Sequence, residues 1–269
     1  MARLSSRDRA NLPDRAFAYV DSTGRRRLPI HDAAHVRNAL ARFDRVVFES
    51  DEAKDRARQR LLSAAKRHGI MPVGFLTSQL RAARGAVLPS GAVTFLLTDI
   101  EGSTGLLHRL GDGYADLLRS VRRLTDDTVR SHGGARVDAH GDEYFAVFDR
   151  PAAALAAAVA QQRALAEHPW PAGLDVRVRA GVHSGRPTLT DSGYVGLSVH
   201  AVARICSVAH GGQVLVSGQT VAAVGELPEG LGLTDLGSHR LAGLPGEERL
   251  FQVVAAGLGQ QFPPLRVLR

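Results

Sequence analysis

Between residues 92 and 256 the apolar pattern switches between the two-residue period of a strand and the 3.6-residue period of a helix, in a fixed order. The run VTFLLTD (93–99) reads as a buried strand, followed by a Gly/Ser turn and an amphipathic helix over about 104–132. ARVDA and EYFAVF read as a hairpin turning at His140-Gly141-Asp142, and an alanine-rich helix spans 151–167. The strand DVRVRAGVHSG (175–185), a helix near 197–209, the strand GQVLVSG (212–218) and a closing hairpin over about 232–254 complete the series. Strand-helix-strand-strand-helix-strand is the order of a ferredoxin-like α+β sandwich. No internal repeat is evident.

Upstream the pattern differs. Residues 13–70 read as small and mostly helical, with helices over 32–43 and 50–67, Ser50 as an N-cap and His68-Gly69 as the stop. Pro72, Gly74, Gly85, Pro89 and Gly91 mark a linker, in which RAAR (81–84) adds a helical turn. The expected organisation is a basic helical module (1–70), a linker (71–91), an α+β domain (92–256) and a tail (257–269). The ending QQFPPLRVLR reads as the start of a further linker.

Charge follows the same division. Residues 1–90 carry 18 Lys and Arg against 9 Asp and Glu, and the remainder carries 16 against 18. Both lysines, Lys54 and Lys66, lie in the first part, so every side-chain cation after residue 90 other than histidine is an arginine. A basic segment suits nucleic acid, yet ESDEAKDRARQR (49–60) alternates cations with acids as a solvated helix face does. It also lacks interleaved aromatics, so nucleic acid is not the expected partner. A single cysteine, Cys206, excludes a disulfide framework within one chain, and no apolar run approaches the roughly 20 residues that span a bilayer. A cytoplasmic protein without membrane contact is expected.

The segment PIHDAAHVRNALARF (29–43) resembles the core of a short helical module that recurs in actinobacterial and phage-related proteins. His31, Asp32 and His35 have a spacing that places metal ligands on one helical turn. A capping aspartate beside two half-buried histidines explains the same letters.

In the α+β region Asp99 ends the first strand before an Ile-Glu-Gly-Ser-Thr turn, and Asp142 sits in the tight turn of the next hairpin. Ferredoxin-like topology makes that strand and hairpin neighbours, so both carboxylates can reach one point. Such a pair beside a glycine turn that opens a helix suits Mg²⁺ held against a polyphosphate. Equally, Asp99 can cap the helix and Asp142 can turn the hairpin.

The wording of the segments separates these readings. VTFLLTDIEGST (93–104), HGDEYFAVF (140–148), VRAGVHSG (178–185), YVGLSVHAVARI (194–205), HGGQVLVS (210–217) and HRLAGLPGEERLFQV (239–253) together resemble the class III nucleotide cyclase catalytic domain, over about residues 91–256. The resemblance implies a head-to-tail homodimer with active sites at its interface. It implies two divalent ions, Mg²⁺ or Mn²⁺, held by Asp99, Asp142 and the Ile100 carbonyl. It implies attack of the ribose 3′-hydroxyl on the α-phosphate with loss of pyrophosphate. Gly102, Ser103 and Thr104 fall on the phosphate-facing turn, and Arg204 on the arginine that neutralises the α-phosphate.

Four positions depart from that pattern. The lysine that holds adenine is Asp138, the second purine-reading residue is Gly193, the ribose-orienting asparagine is His200 and a phosphate-contacting lysine is Ala242. His200 and Arg204 are i and i+4, and an imidazole N–H can replace an amide N–H as donor. Asp138 with Gly193 imitates the glutamate and small residue of guanylate members, one methylene shorter. The expected function is therefore a cyclase acting on ATP, or on GTP through Asp138 and Gly193. The alternative is a regulatory cyclase-homology module that binds a nucleotide or a partner. Cys206 is expected in the core, Trp170 as a plug between two prolines, and His183 as structural rather than a base.

Overall fold

The computed structural model describes residues 12–68, 70, 88–171, 173–190 and 193–267. The linker up to residue 87, with its RAAR turn, and the stop at Gly69 lie outside the described residues. The chain divides into two compact units, Met1–Leu76 and Thr77–Arg269.

The first unit is a hairpin, β1 (Phe17–Val20) and β2 (Arg26–Pro29), followed by α1 (Ala33–Arg42) and α2 (Asp51–Arg67). The helices stand where the periodicity puts them. Asp32 caps α1 by accepting the His35 amide at 2.8 Å, and the Ser50 hydroxyl accepts the Ala53 amide at 3.2 Å at the start of α2. The hairpin is additional to the helical reading, because four-residue strands carry too few alternations to register as a period. Tyr19, Val36, Phe43 and Leu61 are buried at the centre of this unit.

The second unit is built on a seven-stranded sheet of order β10-β11-β9-β6-β3-β5-β4. Its elements are β3 (Val93–Ile100), α3 (Ser103–Leu110), α4 (Tyr114–Ser131), β4 (Ala135–His140), β5 (Glu143–Phe148), α5 (Pro151–Glu167) and β6 (Val178–Gly185). A small hairpin follows, β7 (Thr188–Thr190) and β8 (Gly193–Val195), then α6 (Leu197–Val208), β9 (Val214–Ser217), α7 (Gly218–Val224), β10 (Leu231–His239) and β11 (Glu248–Ala255). Strands β6-β3-β5-β4 have the ferredoxin-like order, and β9 extends them by pairing parallel to β6.

Strand alternation assigns each face. Leu96, Ala180 and Val182 are buried in the cluster that also holds Leu155 and Val159 of α5. On the opposite face α6 rests on β6: a Cβ at Gly181 would lie 2.6 Å from the Cys206 amide nitrogen and 2.9 Å from the Val202 carbonyl oxygen. Gly181 is therefore the residue that lets α6 approach this closely. Cys206 is buried there, its thiol donating to the Arg179 carbonyl at 3.6 Å. Trp170 packs against the cluster around Ile100 and donates from its indole to the Leu165 carbonyl at 2.9 Å.

Two expectations are corrected. The single helix over about 104–132 is two helices, separated by a 3-10 turn at Gly111–Gly113 where Gly111 takes φ +53°. The tail is not a free linker over its described residues. The Gln252 side chain donates to the Gln260 carbonyl at 2.9 Å, His210 Nε2 lies 3.0 Å from the Pro264 carbonyl, and Leu265 and Val267 pack beside Ile205 and Leu250.

Candidate active site

Asp99 is the last residue but one of β3, on the face toward α6, and is 7% exposed. Its register partners are Glu143 of β5 and Arg179 of β6. The Arg179 guanidinium donates to the Asp99 carboxylate and also reaches the Ser207 carbonyl of α6 at 3.5 Å. Burial lowers the pKa of that guanidinium. A carboxylate this enclosed needs a cation, and within this chain Arg179 is one.

Asp142 comes to the same corner through the hairpin. Gly141 takes φ +55°, which turns β4 into β5 in two residues, and the Asp142 carbonyl then accepts the Ile100 amide at 3.4 Å. Asp99, Ile100 and Asp142 are thus neighbours across the β3–β5 edge. Arg122 of α4 holds the turn by donating to the Gly141 carbonyl at 2.8 Å. The Tyr114 hydroxyl shares a hydrogen bond with Ser103; burial, with the Asp142 carboxylate close by, pushes its pKa up to about 12.

The turn after β3 is closed by Gly102 in the left-handed region (φ +64°), whose carbonyl accepts the Gly105 and Leu106 amides at 2.8 and 3.1 Å. Gly102, the N-cap of α3, offers no side-chain cap, and the amide-rich start of the helix at Ser103 and Thr104 follows directly on the strand end that carries Asp99 and Ile100. Ser103 is buried and Thr104 exposed. Glu101 turns the other way: burial raises its pKa, but the Gly211 amide, Arg266 and Arg177 outweigh that and hold it below the ordinary value. Arg266 of the tail is paired with it.

The remaining predicted residues lie elsewhere on the unit. His200 and Arg204 share one face of α6, and the Arg204 guanidinium lies 3.5 Å from where a Cβ on Gly243 would be, beside Ala242. Burial lowers the pKa of both, with Arg204 adding to the effect on His200. Neither side chain has a hydrogen-bond or ion-pair partner among the described residues. Asp138 follows a bulge in β4 between Arg136 and Asp138; its carboxylate accepts the Ala139 amide at 2.9 Å and draws on the nearby charge of Arg122. Gly193 opens β8 opposite Thr190. The structure therefore gathers Asp99, Ile100, Asp142, Gly102, Ser103 and Thr104 at one corner. Arg204 and His200 are on the helix across the sheet face.

Sequence reasoning missed Arg179, Tyr114 and Arg122. Arg179 has a readable signal, since strand alternation in VRAGVHSG puts it on the Asp99 face. Tyr114 and Arg122 depend on the break at Gly111, which sets where α4 begins.

These features match a known family. Residues 87–255 match the adenylate and guanylate cyclase catalytic domain, and the chain belongs to that family. Residues 4–72 match a family of unknown function. An uncharacterised protein of Mycobacterium tuberculosis is 36% identical over 185 residues, which cover 67% of this chain; the chain spans 62% of that relative's length. Among solved structures, an adenylate cyclase of Trypanosoma brucei in its monomeric state is 28% identical with a TM-score of 0.62, covering 69% of this chain and 98% of that one. An adenylate/guanylate cyclase/hydrolase from Silicibacter pomeroyi is 26% identical with a TM-score of 0.53, covering 62% and 98%. The second unit has the mixed α+β cyclase fold. Among the described residues no helix is long and apolar enough to cross a membrane.

Proposed function

We propose that this chain converts ATP or GTP to a 3′,5′-cyclic purine nucleotide and pyrophosphate for intracellular signalling, as a head-to-tail homodimer with Mg²⁺ or Mn²⁺. The observation that carries this is the corner where Asp99, Ile100 and Asp142 meet beside the uncapped start of α3. Two carboxylates and a backbone carbonyl are an all-oxygen donor set, which fits hard divalent ions. Asp99, Asp142 and the Ile100 carbonyl would hold two of them. Bound there, the ions lower the pKa of the attacking hydroxyl and offset charge on the leaving group.

The chain's own groups supply the rest. The α3 amides at Ser103 and Thr104, freed by the Gly102 turn, bind phosphate oxygens. Arg204 from the second subunit neutralises the α-phosphate as the ribose 3′-oxygen, its proton passed to solvent, bonds to phosphorus and the bond to pyrophosphate breaks. His200, one turn earlier, donates to the ribose. That neither side chain has a partner among the described residues supports a composite site. Burial lowers the His200 pKa, which favours a neutral ring with one N–H to give. Asp138 and Gly193 read the purine: a carboxylate accepts from guanine N1–H and its exocyclic amine, whereas adenine offers no N1–H. Each unpaired group in such a pocket costs about 1–3 kcal/mol.

A second reading, a nucleotide-binding regulatory module without turnover, draws on Ala242 and on the Arg179–Asp99 pair, which already neutralises one metal-binding carboxylate. One experiment separates the two. Full-length protein with Mn²⁺ and either nucleotide is expected to form cyclic product, with Asp99→Ala lowering the rate by at least about a hundredfold. Asp138→Lys is expected to move the preference toward ATP. No product above the Asp99→Ala level, with nucleotide still bound, selects the second reading.

A further inference from the structure

In the N-terminal unit His31, Asp32 and His35 bring three ligand atoms within 4.8 Å of one another. His31 Nε2 is 3.2 Å from Asp32 Oδ2, and His35 Nδ1 is 2.9 Å from the same oxygen. The two imidazoles lie 4.3 Å apart between centroids. We infer that these three side chains form a binding site for a divalent ion of the zinc class. The inference is independent of the cyclase reading.

The local sequence explains the cluster. His31 lies just before the N-cap Asp32 and His35 in the first turn of α1, and the extended backbone at Asp32 folds the His31 ring back beside that of His35. Asp32 is the N-cap, and its Oδ1 is fixed by the His35 amide at 2.8 Å. That bond holds the carboxylate between the rings, with His35 Nδ1 2.9 Å from both of its oxygens and His31 Nε2 near Oδ2, as outer-shell hydrogen bonds orient ligands in metal sites. A tetrahedral ion with bonds of about 2.0–2.2 Å holds its ligand atoms roughly 3.3–3.5 Å apart. The 3.2 Å separation is close to that, and the 2.9 Å one has to open by about half an ångström to admit the ion.

One carboxylate faces two imidazoles, and His31 Nδ1, the ring nitrogen other than the one facing Asp32, is enclosed with no hydrogen-bond partner among the described residues. The Asp32 carboxylate brings a negative charge to the group, which a divalent cation offsets. The amide end of α1 opposes a cation, but Asp32 lies between and screens it. Two imidazole nitrogens and one carboxylate oxygen suit Zn²⁺ or Co²⁺ better than Mg²⁺, which takes oxygen donors. Such an ion would fasten the β2–α1 junction of a unit too small for a large core, leaving its fourth position to water. A ring whose N–H sits on the ligating nitrogen binds as its other neutral tautomer, the proton passing through solvent to the second ring nitrogen.

The test is Co²⁺ and Zn²⁺ titration of the full-length protein, with and without Asp99→Ala to discount ions at the cyclase corner. One equivalent of Co²⁺ is expected to give the intense visible absorption of four-coordinate cobalt in both forms. His31→Ala with His35→Ala is expected to weaken binding by at least about tenfold. Asp32→Asn keeps the N-cap and guards against misfolding, and it is expected to weaken binding likewise. Zn²⁺ is expected to raise the melting temperature of the parent protein and not of these variants. The inference is overturned by absence of that absorption, by its survival in the double histidine variant, or by its loss with Asp99→Ala alone.

Discussion

His183 lies on β6 facing α6, 2% exposed, with Nδ1 2.9 Å from the Ser217 hydroxyl. Burial holds its pKa down to about 4, from an ordinary 6.5. Its folded pKa is depressed, so the unfolded chain takes up a proton that the native state refuses. The native state keeps its full stability above pH 6.5 and loses it as the pH falls toward 4. The loss is about 1.4 kcal/mol per pH unit across that window, and about 3 kcal/mol in all. His183→Gln keeps a hydrogen-bonding side chain near Ser217 and removes the titration. Urea midpoints at pH 7 and pH 5 are expected to differ markedly for the parent and much less for the variant; equal pH slopes would contradict this. At the same scale, Asp99 and Asp142 were readable from their positions at strand ends, whereas the partnership of Asp99 with Arg179 needed the sheet register.

The α6 helix carries both Arg204 and His200, and its distance from the sheet is set by one residue. Gly181→Ala would place a methyl group 2.6 Å from the Cys206 amide nitrogen. The obstacle is backbone, so α6 must move outward. The expected cost is about 1–3 kcal/mol, read as a lower urea midpoint at unchanged slope, together with slower turnover from a displaced Arg204. An unaltered midpoint would show that α6 does not rest on Gly181. Elements of this kind were largely legible: β3, β5, α5 and α6 have strong periods and clear stops. The split between α3 and α4 was not, because the amphipathic pattern continues through Gly111, and only the backbone conformation there reveals the break. The four-residue strands β1 and β2 and the three-residue strands β7 and β8 carry too little pattern to be read.

Across the whole unit, Asp99 faces α6 and is paired with Arg179, while Arg204, on that helix, lies beside Gly243. Under the proposed reading the arginine that completes the centre comes from a second chain. The exposed Leu197 at the start of α6 is consistent with a covered face there. Which surfaces come together is not encoded in any period or motif length, and so the composite site was expected from family resemblance alone. The most direct measurement is complementation between two inactive variants, Asp99→Ala and Arg204→Ala. In a head-to-tail dimer, a mixed pair has one site with both defects and one intact site. Equimolar mixing after subunit exchange is predicted to restore about a quarter of the parent rate of cyclic nucleotide formation, since about half the dimers are mixed and each has one working site. A mixture no more active than either variant alone, from a parent that is active, would contradict the composite centre.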